Sequence, residues 1–162
     1  MNQNKNSGQE FVDRLLSADD INKSIIELDN YICELCVWGE EMGKLNQQQK
    51  NFYYNQELER EINNGGFNQY FLNSSGNFAH QTINSLILIG ADKTAAILQE
   101  AINQFPGKIV PEDKHKRQEI IEQIEESANE KWEELDQKFF EYVDNLNLLN
   151  IEYVRQNRGD FS

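Results

Sequence analysis

The stretch KHKRQEIIEQIEESANEKWEELDQKFFEYVD, residues 114–144, decides the fold. With Ile124 set at zero and about 100° per residue, Ile121, Ala128, Trp132, Leu135 and Phe139 fall between about 20° and 80°. Glu119, Glu122, Glu126, Glu130 and Glu133 fall on the other side, between about 160° and 240°. An apolar stripe opposite an acidic one is the signature of a half-buried helix. The spacing predicts a long helical stretch from about Glu112 to Asp144, with Ser127–Asn129 the place where a break would fall.

Working outward, the same periodicity recurs along the chain. A short helix is expected over Gln9–Leu16, after a polar segment, residues 1–8, that is expected to fray. Ser17 or Asp19 then caps a longer helix in which Ile21, Ile25, Leu28, Ile32, Leu35 and Met42 recur at helical spacings. A helix over about Gln48–Asn63 ends at Asn64-Gly65-Gly66, since Gly and Asn accept the left-handed conformation at a helix end. Phe67, Tyr70 and Phe71 share one face of a short helix that Asn73-Ser74-Ser75-Gly76-Asn77 stops. Two helices flank a tight turn at Gly90-Ala91-Asp92, the first presenting Phe78, Thr82, Ile83, Leu86 and Leu88 or Ile89. The second presents Ala95, Ile97, Leu98, Ala101 and Phe105. The only two prolines, Pro106 and Pro111, bracket a loop. A final helix covers about Leu146–Gln156. No segment shows sustained strand alternation. The expectation is all-α: one compact domain of about eight helices over residues 9–162, without repeats.

Charge narrows the function classes. The 162 residues carry 15 basic and 28 acidic side chains, a formal net charge of −13. Residues 1–64 and 112–144 are net −6 and −7, whereas residues 65–111 and 145–162 are each neutral. A neutral centre flanked by two acidic arms concentrates negative potential if the arms share a face. Direct nucleic-acid binding and adhesion to an anionic membrane both need positive charge, so neither is expected. No apolar run approaches a membrane span of ~18 residues. The start, Met1-Asn2-Gln3-Asn4-Lys5, lacks an apolar signal-peptide core, so the cytoplasm is the expected address.

The centre reads Asn64-Gly65-Gly66-Phe67-Asn68-Gln69-Tyr70-Phe71-Leu72-Asn73-Ser74-Ser75-Gly76. Leu88-Ile89-Gly90-Ala91-Asp92-Lys93 follows, then Ala95, Ile97-Leu98 and Ala101. Over about residues 55–155 this order resembles a bacterial family of unknown-function domains whose characterised member is a DNA mimic protein. The resemblance implies an all-helical domain. In the characterised member it further implies a homodimer whose acidic surface occupies the DNA site of a transcription factor. It implies no reaction. From the residues themselves, Asn64, Gly65, Gly66, Phe67, Tyr70, Phe71 and Asn73 read first as a core-and-turn device, with Asn73 and Ser74 suited to capping. A partner-contacting loop is the second reading.

The five glutamates, Glu119, Glu122, Glu126, Glu130 and Glu133, span 14 residues, about 21 Å of helix. One DNA strand places about six phosphates in that length. Lys131 and Lys138, near 340° and 320°, lie off the stripe. A glutamate face is also what any solvated helix in an acidic protein presents, so the pattern alone has two readings. Chemical constellations are sparse. Cys33-Glu34-Leu35-Cys36 has the spacing of a metal or redox pair, but it stands alone, amid Ile32, Leu35 and Trp38, and reads as two buried apolar cysteines. His80 reads as a helix-surface or capping residue and His115 as solvated. No nucleophile triad, phosphate loop or metal site is evident, so no enzyme activity and no cofactor is expected. The favoured function is a non-catalytic protein that binds a basic DNA-binding partner through these glutamates, joined by Glu40 and Glu41 from the first arm. The alternatives are an antitoxin-like immunity protein using the Gly65–Asn73 loop, or a helical domain with no mimic role.

Overall fold

Apolar spacing over most of the chain is helical, and the chain folds accordingly. The computed structural model describes the backbone from residue 2 to residue 162 and side chains from residue 8 onward. Its α-helices are α1 (Asn2–Leu16), α2 (Ile21–Leu35), α3 (Gln47–Leu72), α4 (Ala79–Leu88), α5 (Asp92–Ile102), α6 (Lys114–Phe140) and α7 (Leu146–Gln156). No strand occurs among the described residues, so the fold is all-α. The seven helices among the described residues become the expected eight segments when α3 is divided at its kink. Met1 lies outside the described residues, and α1 is helical from Asn2, ahead of the expected Gln9.

Two compact units are distinguishable, residues 1–53 with 145–162, and residues 54–144. In the first, α2 packs against α1 and α7. Ile25, Leu28, Ile32, Cys33 and Cys36 are buried there, as are Leu146, Ile151 and Val154. The C-terminal tail returns to this core: Phe161 is buried against Phe52 and Tyr153, at ring separations of 5.9 and 6.3 Å. Asp20, rather than the expected Ser17 or Asp19, caps α2 by accepting the Lys23 N–H. α2 also stops at Leu35 instead of continuing to Met42, because Val37, Trp38 and Gly39 all adopt positive φ. That conformation cannot propagate a right-handed helix.

In the second unit the aromatic residues of the central motif form the core. Phe67, Tyr70 and Phe71 are buried. The Phe71 ring meets those of Phe105 and Trp132 at 4.9 and 5.3 Å. Trp132 also donates its indole N–H to the Ala101 carbonyl at 3.1 Å, so its polar edge is satisfied inside the core. α4 and α5 pair across the Gly90 turn, and α5 packs on α6. Of the residues left open by spacing, Ile89 is buried and Leu88 is exposed.

Candidate functional site

α6 carries the acidic stripe, and its back is fixed by three kinds of contact. Asp113 begins the helix by accepting the Lys116 N–H at 2.9 Å. Ile121, Ala128, Trp132, Leu135 and Phe139 are buried, as the wheel requires. The helix is uninterrupted from Lys114 to Phe140, without a break at Ser127–Asn129, and ends short of the expected Asp144.

Arg117 is the first anchor. It is fully buried, and all of its nitrogens are engaged. Nε donates to the Phe71 carbonyl at 2.6 Å. Nη1 donates to the carbonyls of Pro111 and Glu112 at 2.6 and 3.1 Å. Nη2 donates to the Asn73 carbonyl at 2.8 Å and to Asn77 Oδ1 at 2.7 Å. Burial pushes the guanidinium pKa down, opposed by Tyr70 and Asp113, yet an arginine stays charged. Gly76 leaves the room: a Cβ there would lie 2.7 Å from Arg117 Nε. The sequence reading missed this residue inside a basic run, although the same wheel places it near about 20°, on the apolar face.

Asp136 is the second anchor. At Gly65-Gly66 the helix α3 kinks, with Gly66 at φ 70° and ψ −171°, a region open essentially to glycine alone. A Cβ on Gly66 would come within 2.1 Å of Asp136 Oδ2. The close approach lets the Phe67 N–H, freed by the kink, donate to Asp136 Oδ1 at 2.8 Å. Asn64 is exposed and Gly66 is buried. Asn73 does not cap through its side chain; its amide donates to Glu61, which also accepts from Gln69. The motif therefore works as a core and a socket for α6, and its aromatic side chains offer no contact surface.

The third feature is electrostatic. Glu119, Glu122, Glu126, Glu130 and Glu133 are all exposed, and among the described residues none of them is in an ion pair. Lys131 and Lys138 are instead held by Glu134 at 3.0 and 2.8 Å, and Lys131 also by Glu100 of α5 at 3.5 Å. These pairs hold the Glu134 carboxyl below and the Lys131 ammonium above their ordinary ranges. Glu40 and Glu41 are exposed too, but they belong to the first unit, and Glu41 pairs with Lys44.

The model for the DMP19-like protein family matches residues 43–157. The chain belongs to the DMP19-like protein family. That match spans both the aromatic motif and the whole of α6, and it starts ahead of the expected residue 55. No curated protein and no solved structure matches the chain.

The remaining candidates are local in role. Cys33 and Cys36 are buried, Cys33 donating to Asp29 and Cys36 to the Cys33 carbonyl. Their place is the last turn and C-cap of α2 rather than mid-helix. His80 is exposed on α4 and accepts the Val110 N–H through Nε2 at 3.1 Å; His115 is exposed.

Two variants test the anchors. Arg117→Ala strands several buried carbonyls and is expected to cost about 3–5 kcal/mol in urea denaturation, with Arg117→Lys unable to restore the fork of donors. Asp136 has a raised pKa, chiefly from burial, with Glu133 adding to it and the Phe67 N–H opposing it. Its protonated form is favoured in the fold, so its contribution is complete below the ordinary value of 3.8 and declines as pH rises through the folded value. Asp136→Asn keeps an acceptor without the charge. At pH 7 it is expected to match or exceed the wild type, whereas Asp136→Ala loses about 1 kcal/mol. An Asn variant less stable than the Ala variant contradicts this assignment.

Proposed function

We propose that this DMP19-like chain is a non-catalytic binding protein that offers the α6 carboxylates as surrogate phosphates to a basic DNA-binding protein, occupying that partner's DNA site. The observation that supports it best is the division of labour on α6. Lys131 and Lys138, the lysines in the half of α6 that follows Ala128, are engaged by Glu134 and Glu100, and among the described residues none of Glu119, Glu122, Glu126, Glu130 and Glu133 is in an ion pair. An uninterrupted helix keeps those five carboxylates in one stripe of about 21 Å. A DNA strand carries a similar linear density of charge.

Solvated glutamate faces are common, and what weighs against that reading here is the cost. Like charges without counter-ions repel, and exposed pairs feel one another within about 10 Å at 0.1 M salt. A row meant only for solubility gains from interspersed lysines. Here Lys131 and Lys138 lie on the flank, paired with Glu134.

The test is capture of partners on the tagged protein from a nuclease-treated native lysate, with low-salt and then high-salt washes. A basic DNA-binding protein is expected, released by salt and displaced by duplex DNA. The triple variant Glu122→Lys/Glu126→Lys/Glu133→Lys is expected to lose that partner while keeping its helical circular dichroism. Normal capture by the triple variant sinks the proposal, and so does a single partner that resists both salt and DNA.

A further inference from the structure

We propose that the α6 stripe ends in an apolar anchor, where Phe140 and Val143 receive aliphatic side chains of the same basic protein partner that the glutamates engage. The inference rests on the binding role given to α6 and adds a contact of different chemistry to it.

Phe140 is the last residue of α6. On the helical wheel it falls at about 160°, the angle of Glu122 and within about 20° of Glu133. Helix geometry therefore continues the row of carboxylates into an aromatic ring about 10 Å past Glu133. The Phe139 ring touches it at 6.3 Å, yet Phe140 stays 43% exposed. Beyond it the chain turns sharply, with Tyr142 at a φ of 47°. The Tyr142 N–H donates to the Phe139 carbonyl at 3.0 Å. Its ring lies 5.6 Å from that of Phe139, and its hydroxyl exchanges hydrogen bonds with the Asn63 side chain at 2.7 and 3.1 Å. Those contacts fix the turn, and Val143 leaves it 65% exposed. Phe140, Tyr142 and Val143 thus place three large exposed side chains within four successive positions. Exposed apolar residues scattered singly are ordinary, whereas a group of them marks a contact surface.

Charge selects the occupant. Glu141 stands among these residues in the chain, and Glu133 lies two helical turns before Phe140. Both are exposed, and among the described residues neither is in an ion pair. Lys138, the nearest cation in sequence, falls near about 320° on the wheel and is held by Glu134. An apolar end on an acidic row repels acidic surfaces and suits a basic one. Charge alone distinguishes poorly between one basic protein and another. A desolvated apolar contact adds that distinction, and salt does not screen it.

Two fluorescein-labelled peptides test this by anisotropy at about 0.15 M salt. Each has six arginines, which extend over about 20 Å. One is flanked on both sides by three leucines and the other by three serines, so either direction of docking brings a flank to Phe140. The full chain is expected to bind the leucine-flanked peptide about fivefold more tightly. Phe140→Ser/Val143→Ser is expected to abolish that preference while leaving the serine-flanked affinity unchanged, and Phe140→Leu is expected to keep it. Glu122→Gln/Glu126→Gln/Glu133→Gln is expected to weaken both peptides alike. If the glutamine variant weakens both but wild type shows no leucine preference, or the preference survives the double serine variant, the inference alone is overturned. Undiminished binding of both peptides by the glutamine variant overturns the α6 reading and the anchor with it. A wild-type dimer in sedimentation that the double serine variant breaks assigns the patch to a second copy, and also overturns the inference. Thermal melts of each variant establish that folded proteins are compared.

Discussion

A buried guanidinium organises the second unit. Arg117 sits in the first turns of α6 and gives its Nε and Nη2 donors to the end of the aromatic motif and the segment just after it, at Phe71, Asn73 and Asn77, while Nη1 holds the Pro111 and Glu112 carbonyls. A buried cation is tolerable only when nearly every donor is met, which fixes the position of the loop to within hydrogen-bond tolerance. Further along the same helix, Asp136 receives the Phe67 N–H at the α3 kink. Trp132 fills the space between these anchors, packed on Phe71 and Phe105. One face of α6 is thus committed at three points to the Gly65–Asn77 segment and its surroundings.

That commitment orients the opposite face. A helix held by a charged fork, an indole and a carboxylate cannot roll, so the glutamates at Glu119, Glu122, Glu126, Glu130 and Glu133 point away from the core as a fixed row. The conspicuous sequence motif and the acidic stripe are two sides of one device. The motif builds the socket, and the socket aims the stripe. This is why the motif's aromatics are buried, although the motif lies within the span that matches the family. Positioning on a rigid helix also suits recognition by charge, since displaced carboxylates would be solvated and screened independently.

Much of this was legible from the residues. The apolar positions of α6, the α4–α5 turn and the span of α7 follow from spacing and glycine placement alone, because local periodicity and caps agree with the packing there. What escaped was non-local. Arg117 stands in a run of cations that looks solvated, and only its place on the apolar side of the wheel hints at burial. Asp136 falls between the apolar and acidic faces, and its partner is a backbone N–H in a distant segment. α2 reads as continuing to Met42 because Leu35 and Met42 keep helical register. Gly39 was the one local sign of the left-handed turn, and its contact with Tyr53 is a tertiary matter. Asn73 illustrates the same limit: its residue type suits a cap, but Glu61 claims the side chain.

The central claim is that a partner covers the carboxylates of α6. Carbodiimide labelling of the protein, alone and saturated with its captured partner, reads this directly by mass spectrometry of the modified glutamates. Loss of labelling in the complex at Glu119, Glu122, Glu126, Glu130 and Glu133, with Glu152 on α7 unchanged, is the result the account requires. Undiminished labelling of those five, with protection centred on another surface, would contradict it.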